Sequence, residues 1–284
     1  MMNKAEVLEV LKGQVDKLPS LPHVVTRVIQ ITNSPTSNAD EVAKLIENDI
    51  SMGGQILKLA NSSYYGIPKT IASIRNAIVI LGFDTIRSLI LSANMVKIFP
   101  KEIGDKFSAS RFWGHCVTTA ILSRSIAAHY NLPIDKEQAF TAGLLHDVGR
   151  LLLLQVFPNE FNELIAKVNQ GQSWEEAEPE IFGITSMEAS EVILGLWNIP
   201  QSVRTPICHR ATPAEAKDSL AWVLHLADHL ATVKTANVIE NETASLLSED
   251  AEDFFQEEID AEELLEEFQE SLDSAQTFID LFDS

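Results

Sequence analysis

The sequence contains few of the residues that interrupt or cross-link a chain. Its 284 residues include two cysteines, 12 glycines and 11 prolines. Two cysteines, Cys116 and Cys208, are too few for a disulfide framework, so we expect both thiols to stay reduced and to pack as small apolar side chains. Because glycine and proline are sparse, few positions force a helix to end. This composition excludes a disulfide-rich scaffold and favours long helices.

Long apolar runs are also missing from the sequence. No segment approaches the roughly 18 consecutive apolar residues that a membrane-spanning helix requires. Residues 1–6 do not combine a basic segment with the apolar core of a secretion signal. The hydrophobic content of 45% nevertheless excludes wholesale disorder. We therefore expect a globular, cytoplasmic protein that makes no membrane contact.

Positive charge is scarce and is distributed unevenly along the chain. The net charge is −20, and residues 240–284 contain 17 of the 41 acidic residues but no lysine or arginine. The preceding 239 residues therefore carry 24 acidic against 21 basic residues, a net charge of −3. Binding to nucleic-acid phosphates needs clustered positive charge. A near-neutral body with an acidic tail argues against nucleic acid as a partner.

Apolar residues recur at helical spacing through almost the whole chain, which predicts an all-α fold. The predicted helices cover residues 5–15, 39–59, 71–81, 85–96, 108–130, 136–157, 159–169, 186–196, 201–209 and 212–234. Gly82, between the third and fourth of these helices, is a candidate C-cap. The pattern breaks at residues 99–105. This break predicts two packed helical subdomains, residues 1–100 and 101–239.

The acidic tail, residues 240–284, contains an apolar stripe with carboxylates on the opposite side, which predicts an amphipathic helix over residues 252–282. The stripe consists of Phe255, Ile259, Leu264, Leu265, Phe268, Leu272, Ala275, Ile279 and Phe282. Because exposed apolar stripes are uncommon in soluble monomers, we expect the tail to dock on its own domain. The alternatives are a partner-binding helix and an acidic arm that folds on a basic surface.

The most informative chemical feature is the adjacent pair His146 and Asp147, which lies in an apolar helical segment. A neutral imidazole nitrogen and a carboxylate oxygen are both good ligands for a divalent cation. His115 lies 31 residues before His146, and Asp228 lies 81 residues after Asp147, in two further predicted helices. Inward-facing side chains of neighbouring helices can converge on one ion in the core of a bundle.

This arrangement resembles the HD superfamily of metal-dependent phosphohydrolases, whose core ligand set corresponds to His115, His146, Asp147 and Asp228. A longer series of segments, in the family's order, resembles the signatures of the HDOD family: residues 18–22, 46–49, 59–66, 74–82, 144–152, 182–183, 197–200 and His209. The resemblance implies an all-helical regulatory domain of bacteria, often without demonstrated catalysis. It also implies that residues 101–239 form the HD-like subdomain.

The chain departs from the HDOD pattern at two positions. Ser186 stands where related sequences usually carry a histidine, and His209 is followed by Arg210 where a second histidine is usual. The Gly-Tyr-Pro signature of cyclic-dinucleotide phosphodiesterases is replaced by Ala-Thr-Pro. Since two-metal hydrolysis needs further ligands, these changes leave at most a single-metal site, with His209 at its periphery.

Two functional hypotheses follow from these features. The first is an HDOD-type signalling protein that binds protein partners or a nucleotide ligand without turnover, and that needs no cofactor because its HD site is degenerate. The second is a mononuclear phosphohydrolase of a nucleotide or phosphate ester, with one Fe, Mn, Zn or Mg ion, in which Arg150 and Arg210 steady the phosphate. Each arginine also has a structural alternative, local pairing with a carboxylate, and the His146–Asp147 pair has one as a link between two helices.

Overall fold

A computed structural model describes residues 2–13, 20–32, 37–98, 107–235, 247–274, 278 and 280. Every regular element within these ranges is a helix, so the prediction of an all-α fold is confirmed. The predicted subdomain boundary at residues 99–105 lies outside the described residues. The division into subdomains therefore stays a prediction.

The described helices that precede residue 99 form the first group. They are α1 Lys4–Gly13, α2 His23–Thr32, α3 Ala39–Glu47, α4 Ile50–Ala60 and α5 Ile74–Ile98, and a short 3₁₀ turn, Ser63–Tyr65, lies between α4 and α5. Helices α2, α3 and α4 pack on α5. Gly82 interrupts α5 with φ at 85° and ψ at 167°, a backbone conformation that glycine adopts readily. The predicted separation of two helices at Gly82 is therefore confirmed.

A second group of helices lies between residues 107 and 235. They are α6 Ala109–His129, α7 Lys136–Leu145, α8 Val148–Val156, α9 Pro158–Val168, α10 Trp174–Phe182, α11 Ser186–Leu196, α12 Gln201–Cys208, α13 Pro213–Ala216 and α14 Ser219–Thr235. Helix α6 packs along both α7 and α14, and α8 packs on α11. The first group reaches this layer through α5, which contacts α7, and through α1, which contacts α11.

Three predicted helices are each divided in the structure. The predicted helix 212–234 becomes α13 and α14, with Lys217 in a left-handed backbone between them. The predicted helix 39–59 breaks before Asp49, whose backbone is extended and whose side chain accepts the N–H of Met52 at 3.0 Å. Asp49 is therefore an N-cap that starts a new helix. The predicted helix 136–157 breaks at His146 and Asp147. Apolar residues recur at helical spacing on either side of the breaks at Asp49 and at His146–Asp147, so periodicity alone did not reveal them. Helices α2 and α10 were not predicted.

Helix α5 includes a stretch, Ile74–Met95, that is long and apolar enough to cross a membrane by length and composition alone. Within its apolar window, however, 61% is buried inside the protein. Gly82 also interrupts the helix in this stretch. Both features are typical of a core helix that packs against its neighbours.

The acidic tail docks on the body through three short helices. They are α15 Asp250–Phe255, α16 Ala261–Glu267 and α17 Gln269–Ser274. Helices α15 and α16 pack on α14, and α17 packs on α6, so the expectation that the tail docks on its own chain is confirmed. The predicted single helix is wrong, because Gln256 adopts a left-handed backbone that ends α15. Residues 275–277, 279, 281 and 282 of the predicted helix lie outside the described residues.

Aromatic side chains anchor the tail at both of its described ends. The ring of Phe254 stacks on Trp222 of α14, with 5.1 Å between the centroids and 11° between the planes. The ring of Phe278 is fully buried and lies edge-on to Tyr64, at 5.3 Å. Since Tyr64 belongs to the first group of helices and Trp222 to the second, the tail contacts both groups.

Docking of the tail predicts a measurable loss of stability when an anchor is removed. Phe268 is 6% exposed and lies edge-on to His129 at 5.7 Å. We expect Phe268→Ala to lower the free energy of unfolding by about 3 kcal/mol, the low end of the usual cost of removing a buried ring. The measurement is equilibrium unfolding in urea. The exposed neighbour Glu266 provides the control, since Glu266→Ala should change stability by no more than about 0.5 kcal/mol. Equal stabilities of the two variants would contradict docking.

Candidate metal centre

The pair His146 and Asp147 lies where α7 ends and α8 begins. On a continuous helix, neighbouring side chains point about 100° apart and could not face one point. Asp147 has left the helical conformation, with φ at −107° and ψ at 10°. His146 Nε2 and Asp147 Oδ2 consequently approach to 3.4 Å. The break in the helix is therefore what makes the two side chains part of one site.

Two glycines allow the neighbouring helices to approach this pair closely. A Cβ atom on Gly143 would lie 2.6 Å from the Cα of Ala120 in α6. A Cβ atom on Gly149 would overlap the carbonyl oxygen of Ser186 in α11. Because neither position has room for a side chain, α7 can pack tightly on α6 and α8 on α11.

The four residues that the sequence suggested as ligands meet in space. His115 Nε2 of α6 lies 3.3 Å from His146 Nε2 and 3.0 Å from Asp228 Oδ1 of α14. The distance from His146 Nε2 to Asp228 Oδ1 is 3.3 Å. Ligand atoms about 2.0 to 2.2 Å from one ion stand roughly 3 Å apart, so this spacing fits a single divalent cation. A ligand atom of Asp147 completes a group with the two histidines within 4.8 Å.

His146 is oriented by the other nitrogen of its ring. Its Nδ1 lies 2.6 Å from the carbonyl oxygen of Gly143, which can only accept, so the proton resides on Nδ1 and Nε2 faces the centre. Burial lowers the pKa of His146, but the carboxylates of Asp147 and Asp228 outweigh burial and raise it to about 9. Without an ion, His146 is therefore a buried imidazolium at neutral pH.

Two buried arginines bind the carboxylate of Asp147. Arg150 Nη1 donates to Asp147 Oδ2 at 2.6 Å, and Arg210 Nη2 donates to Asp147 Oδ1. Arg210 Nε also lies 3.4 Å from Asp228 Oδ2. Burial raises the pKa of Asp147, but Arg150, His146 and Arg210 together hold it well below its usual range. Both oxygens of Asp147 thus accept hydrogen bonds from cationic groups.

Neither arginine lies on the surface. Arg150 is 9% exposed and Arg210 is 5% exposed. The guanidinium carbon of Arg150 also lies 4.3 Å from the ring centroid of Trp174, a cation–π contact. For Arg150 the structural alternative was local pairing with a carboxylate, at a position on the helix surface. The local pair exists, with Asp147 three residues earlier, but the position is buried.

Glu178 of α10 is a member of the cluster that the sequence analysis missed. Its Oε1 accepts from Arg150 Nε at 3.3 Å, and its Oε2 accepts the backbone N–H of Ser186 at 2.7 Å. Burial raises the pKa of Glu178. Glu178 shares the buried face of α10 with Trp174 and Ile181. A glutamate at an apolar position of that helix was the available signal.

His209 is the C-cap residue of α12. Its Nδ1 lies 2.9 Å from the carbonyl oxygen of Thr205. Together with Cys208 and Leu196 it lines a surface groove of about 710 Å³. The group of ligand atoms around His146 does not include His209 among the described residues.

Comparison with known proteins identifies a family whose model matches this chain. The family model of the HDOD domain matches residues 18–213. A curated relative from Treponema pallidum, an uncharacterized protein, is 20% identical over 198 residues. These residues make up 68% of this chain but only 37% of the relative, so the chain corresponds to about a third of that protein.

Three crystal structures share the fold. One, from Shewanella amazonensis, is 25% identical and superposes with a TM-score of 0.76 over 96% of this chain and 98% of its own. An HDOD domain protein of unknown function from Geobacter sulfurreducens is 22% identical, with a TM-score of 0.76 over 98% and 99%. A Marinobacter aquaeolei protein is 22% identical, with a TM-score of 0.73 over 99% and 66%. The first and third are named a phosphohydrolase and a signal transduction protein, both designated putative.

The raised pKa of His146 predicts a pH-dependent stability for the metal-free protein. Because the folded pKa of about 9 exceeds the ordinary value of 6.5, the charged ring stabilises the fold fully below pH 6.5, and this contribution is lost as the pH rises through about 9. In the presence of a chelator, we expect the free energy of unfolding to fall over this range. Urea unfolding at a series of pH values measures how steeply the free energy of unfolding falls with pH. The His146→Gln variant should lack this fall, and parallel profiles of the two proteins would contradict the assignment.

Proposed function

The chain belongs to the HDOD domain family, and we propose that it is a bacterial signalling protein that acts by binding a protein partner or a small ligand, not by turnover. The observation that carries this proposal is that both carboxylate oxygens of Asp147 already accept hydrogen bonds from arginines. To bind a cation, this carboxylate would have to direct an oxygen at the ion. Here Arg150 and Arg210 each donate to one of its two oxygens.

The arginines balance the charge that a divalent cation would otherwise balance. The cluster contains three carboxyl groups, on Asp147, Asp228 and Glu178. Arg150 and Arg210 supply two positive charges to them. His146, with its pKa raised to about 9, adds a further positive charge among the ligand atoms. A cation would have to displace the extra proton of His146 and the guanidinium group of Arg210. Metal binding therefore competes with ion pairs that the protein already makes.

The surroundings of the centre also support a binding role. At the two positions that differ from the family pattern, the side chain of Arg210 donates to Asp147, and Ser186 donates its backbone N–H, which any residue other than proline would offer, to Glu178. Two-metal hydrolysis would need further ligands for a second ion about 3.5 to 4 Å from the first. These two residues supply none. Among the similar structures, the Marinobacter protein bears the name of a signal transduction protein, which agrees with this role.

A second candidate function is a mononuclear phosphohydrolase. The observation in its favour is the spacing of 3.0 to 3.3 Å among His115 Nε2, His146 Nε2 and Asp228 Oδ1, which fits one ion. Together with Asp147 these residues would hold Fe, Mn, Zn or Mg. A bound divalent cation supplies polarisation of a phosphoryl oxygen and a lowered pKa for a bound water. Arg210 Nη1 is buried and makes no hydrogen bond to the described residues, so it would be available to a phosphate oxygen.

Metal analysis distinguishes the two functions. For protein purified without chelator, we expect well under one equivalent of iron, manganese or zinc, and no turnover of nucleotides or simple phosphate esters after these metals or Mg²⁺ are added. Elemental analysis and phosphate release measure the two quantities. Stoichiometric metal that disappears in Asp147→Ala, together with turnover that the same substitution abolishes, would replace the proposed function by the second candidate.

The competition between arginine and metal can be tested directly. Replacing Arg210 by glutamine removes the cation that occupies Asp147, so we expect Arg210→Gln to bind Mn²⁺ at least about tenfold more tightly than the wild type. Titration calorimetry gives the affinities. Arg204 provides a matched control, because it lies on the neighbouring helix α12 and pairs with Glu191 outside the centre. If Arg210→Gln and Arg204→Gln bind Mn²⁺ equally, charge competition does not explain the state of the centre.

A further inference from the structure

Two hydrogen bonds through His225 connect the acidic tail to the metal centre. The backbone N–H of Ser248, at the start of the described part of the tail, donates to His225 Nε2 at 2.8 Å. His225 Nδ1 lies 2.8 Å from the carbonyl oxygen of Arg210. The side chain of Arg210 in turn binds Asp147 and Asp228. The tail, His225, Arg210 and the two carboxylates thus form a continuous chain of contacts.

The partners of His225 leave it a single protonation state. A backbone N–H can only donate and a carbonyl oxygen can only accept, so Nε2 must accept while Nδ1 carries the proton. Burial lowers the pKa of His225, which favours this neutral ring. Both nitrogens are therefore committed, one to the tail and one to Arg210. Any movement of Ser248 or Arg210 removes a partner from a buried polar ring.

Arg210 lies just beyond the end of α12, and its backbone makes few short hydrogen bonds to that helix. Arg210 follows His209, the C-cap of α12, and its N–H makes only a long bond of 3.4 Å, to the carbonyl oxygen of Ile207. The hydrogen bond from His225 is shorter by comparison. The hydrogen bond from His225 is therefore a short contact that holds the Arg210 backbone, from which the guanidinium group extends.

The tail is fastened at the same turn of α14 that carries His225. The ring of Trp222 lies edge-on to His225, at 6.4 Å, and stacks on Phe254 of the tail, at 5.1 Å. Trp222, His225 and Asp228 follow one another at intervals of three residues, so they share one side of the helix. The aromatic anchor of the tail and a carboxylate of the centre therefore lie on either side of His225.

We propose that the docked tail regulates the centre: through His225 it holds Arg210 on Asp147 and Asp228, and release of the tail lets Arg210 withdraw and opens the centre to a divalent cation. The inference rests on the proposed function, because it takes Arg210 as the group that closes the centre. Coupling between two sites is reciprocal, so an ion that displaces Arg210 also loosens the tail.

Hydrogen exchange in the full chain tests the coupling without any metal. Phe254→Ala removes the stacked ring, and we expect faster backbone exchange both in residues 247–255 and, by about fivefold or more, in residues 207–213 around Arg210. Peptide-level mass spectrometry measures both segments. Glu258→Ala, at an exposed position of the tail, should change neither. Faster exchange in the tail with unchanged exchange around Arg210 would overturn the proposal.

Two conservative replacements of His225 separate the relay from general packing. The amide nitrogen of Asn stands near the position of Nδ1 and can still donate to Arg210, while the amide oxygen of Gln stands near Nε2 and can still accept from Ser248. Each variant keeps one bond and loses the other. In both backgrounds, adding Phe254→Ala should no longer change exchange around Arg210. If it changes exchange as much as in the wild type, His225 does not transmit the coupling.

Mn²⁺ titration gives the matching functional measurement. We expect Phe254→Ala to bind Mn²⁺ about fivefold more tightly than the wild type, and Glu258→Ala to bind as the wild type does. Failure of this inference is distinguishable from failure of the proposed function. Metal-dependent turnover would remove the proposed function while exchange around Arg210 still responded to the tail. Uncoupled exchange in a protein without metal or turnover would remove only the inference.

Discussion

The pairing of the buried Asp147 carboxylate with two arginines is the interaction on which the arrangement of the surrounding helices depends. Asp147 is 1% exposed, and an ionised carboxylate in such a place costs several kcal/mol unless cations and hydrogen-bond donors surround it. Arg150, within α8, donates to one oxygen of Asp147, and Arg210, beyond the end of α12, donates to the other. Through Glu178 and Asp228 the same arginines also reach α10 and α14. One charge thus constrains four helices.

The candidate ligand residues also serve as partners in the buried ion-pair cluster, which explains why their presence alone does not establish catalysis. Each of the four residues that could hold an ion also has a partner within the protein: His115 contacts Asp228, His146 contacts Gly143 and Asp147 is bound by arginine. Removing one member would leave an uncompensated buried charge, which is strongly destabilising whether or not a metal ever binds. The cluster would therefore be needed by the fold alone. A metal centre and an ion-pair cluster differ here in whether the guanidinium groups of Arg150 and Arg210 occupy the oxygens of Asp147.

The sequence was sufficient for the fold class and for the four residues that meet, but insufficient for the contacts that decide their state. Helical periodicity depends only on local spacing, so it predicted the all-α fold, and the adjacency of His146 and Asp147 was visible directly. The break between α7 and α8 was missed because apolar periodicity continues across it. Glu178 and His225 were not identified as parts of the site because their roles arise from tertiary partners, Arg150 for one and Ser248 for the other.

Different forces fasten the tail and the centre to the same helix. The tail docks mainly through aromatic and aliphatic side chains, and its carboxylates are mostly exposed. One of them, Glu267, lies 2.9 Å from the ring of His129. The centre is held by buried ion pairs that salt screens little. Trp222 of α14 makes the apolar contact with the tail, and Asp228 of the same helix makes an ion pair in the centre. His225 lies between these two residues, so α14 connects the two contacts. A partner that competes for the apolar face of the tail could therefore change an ionic centre without touching it.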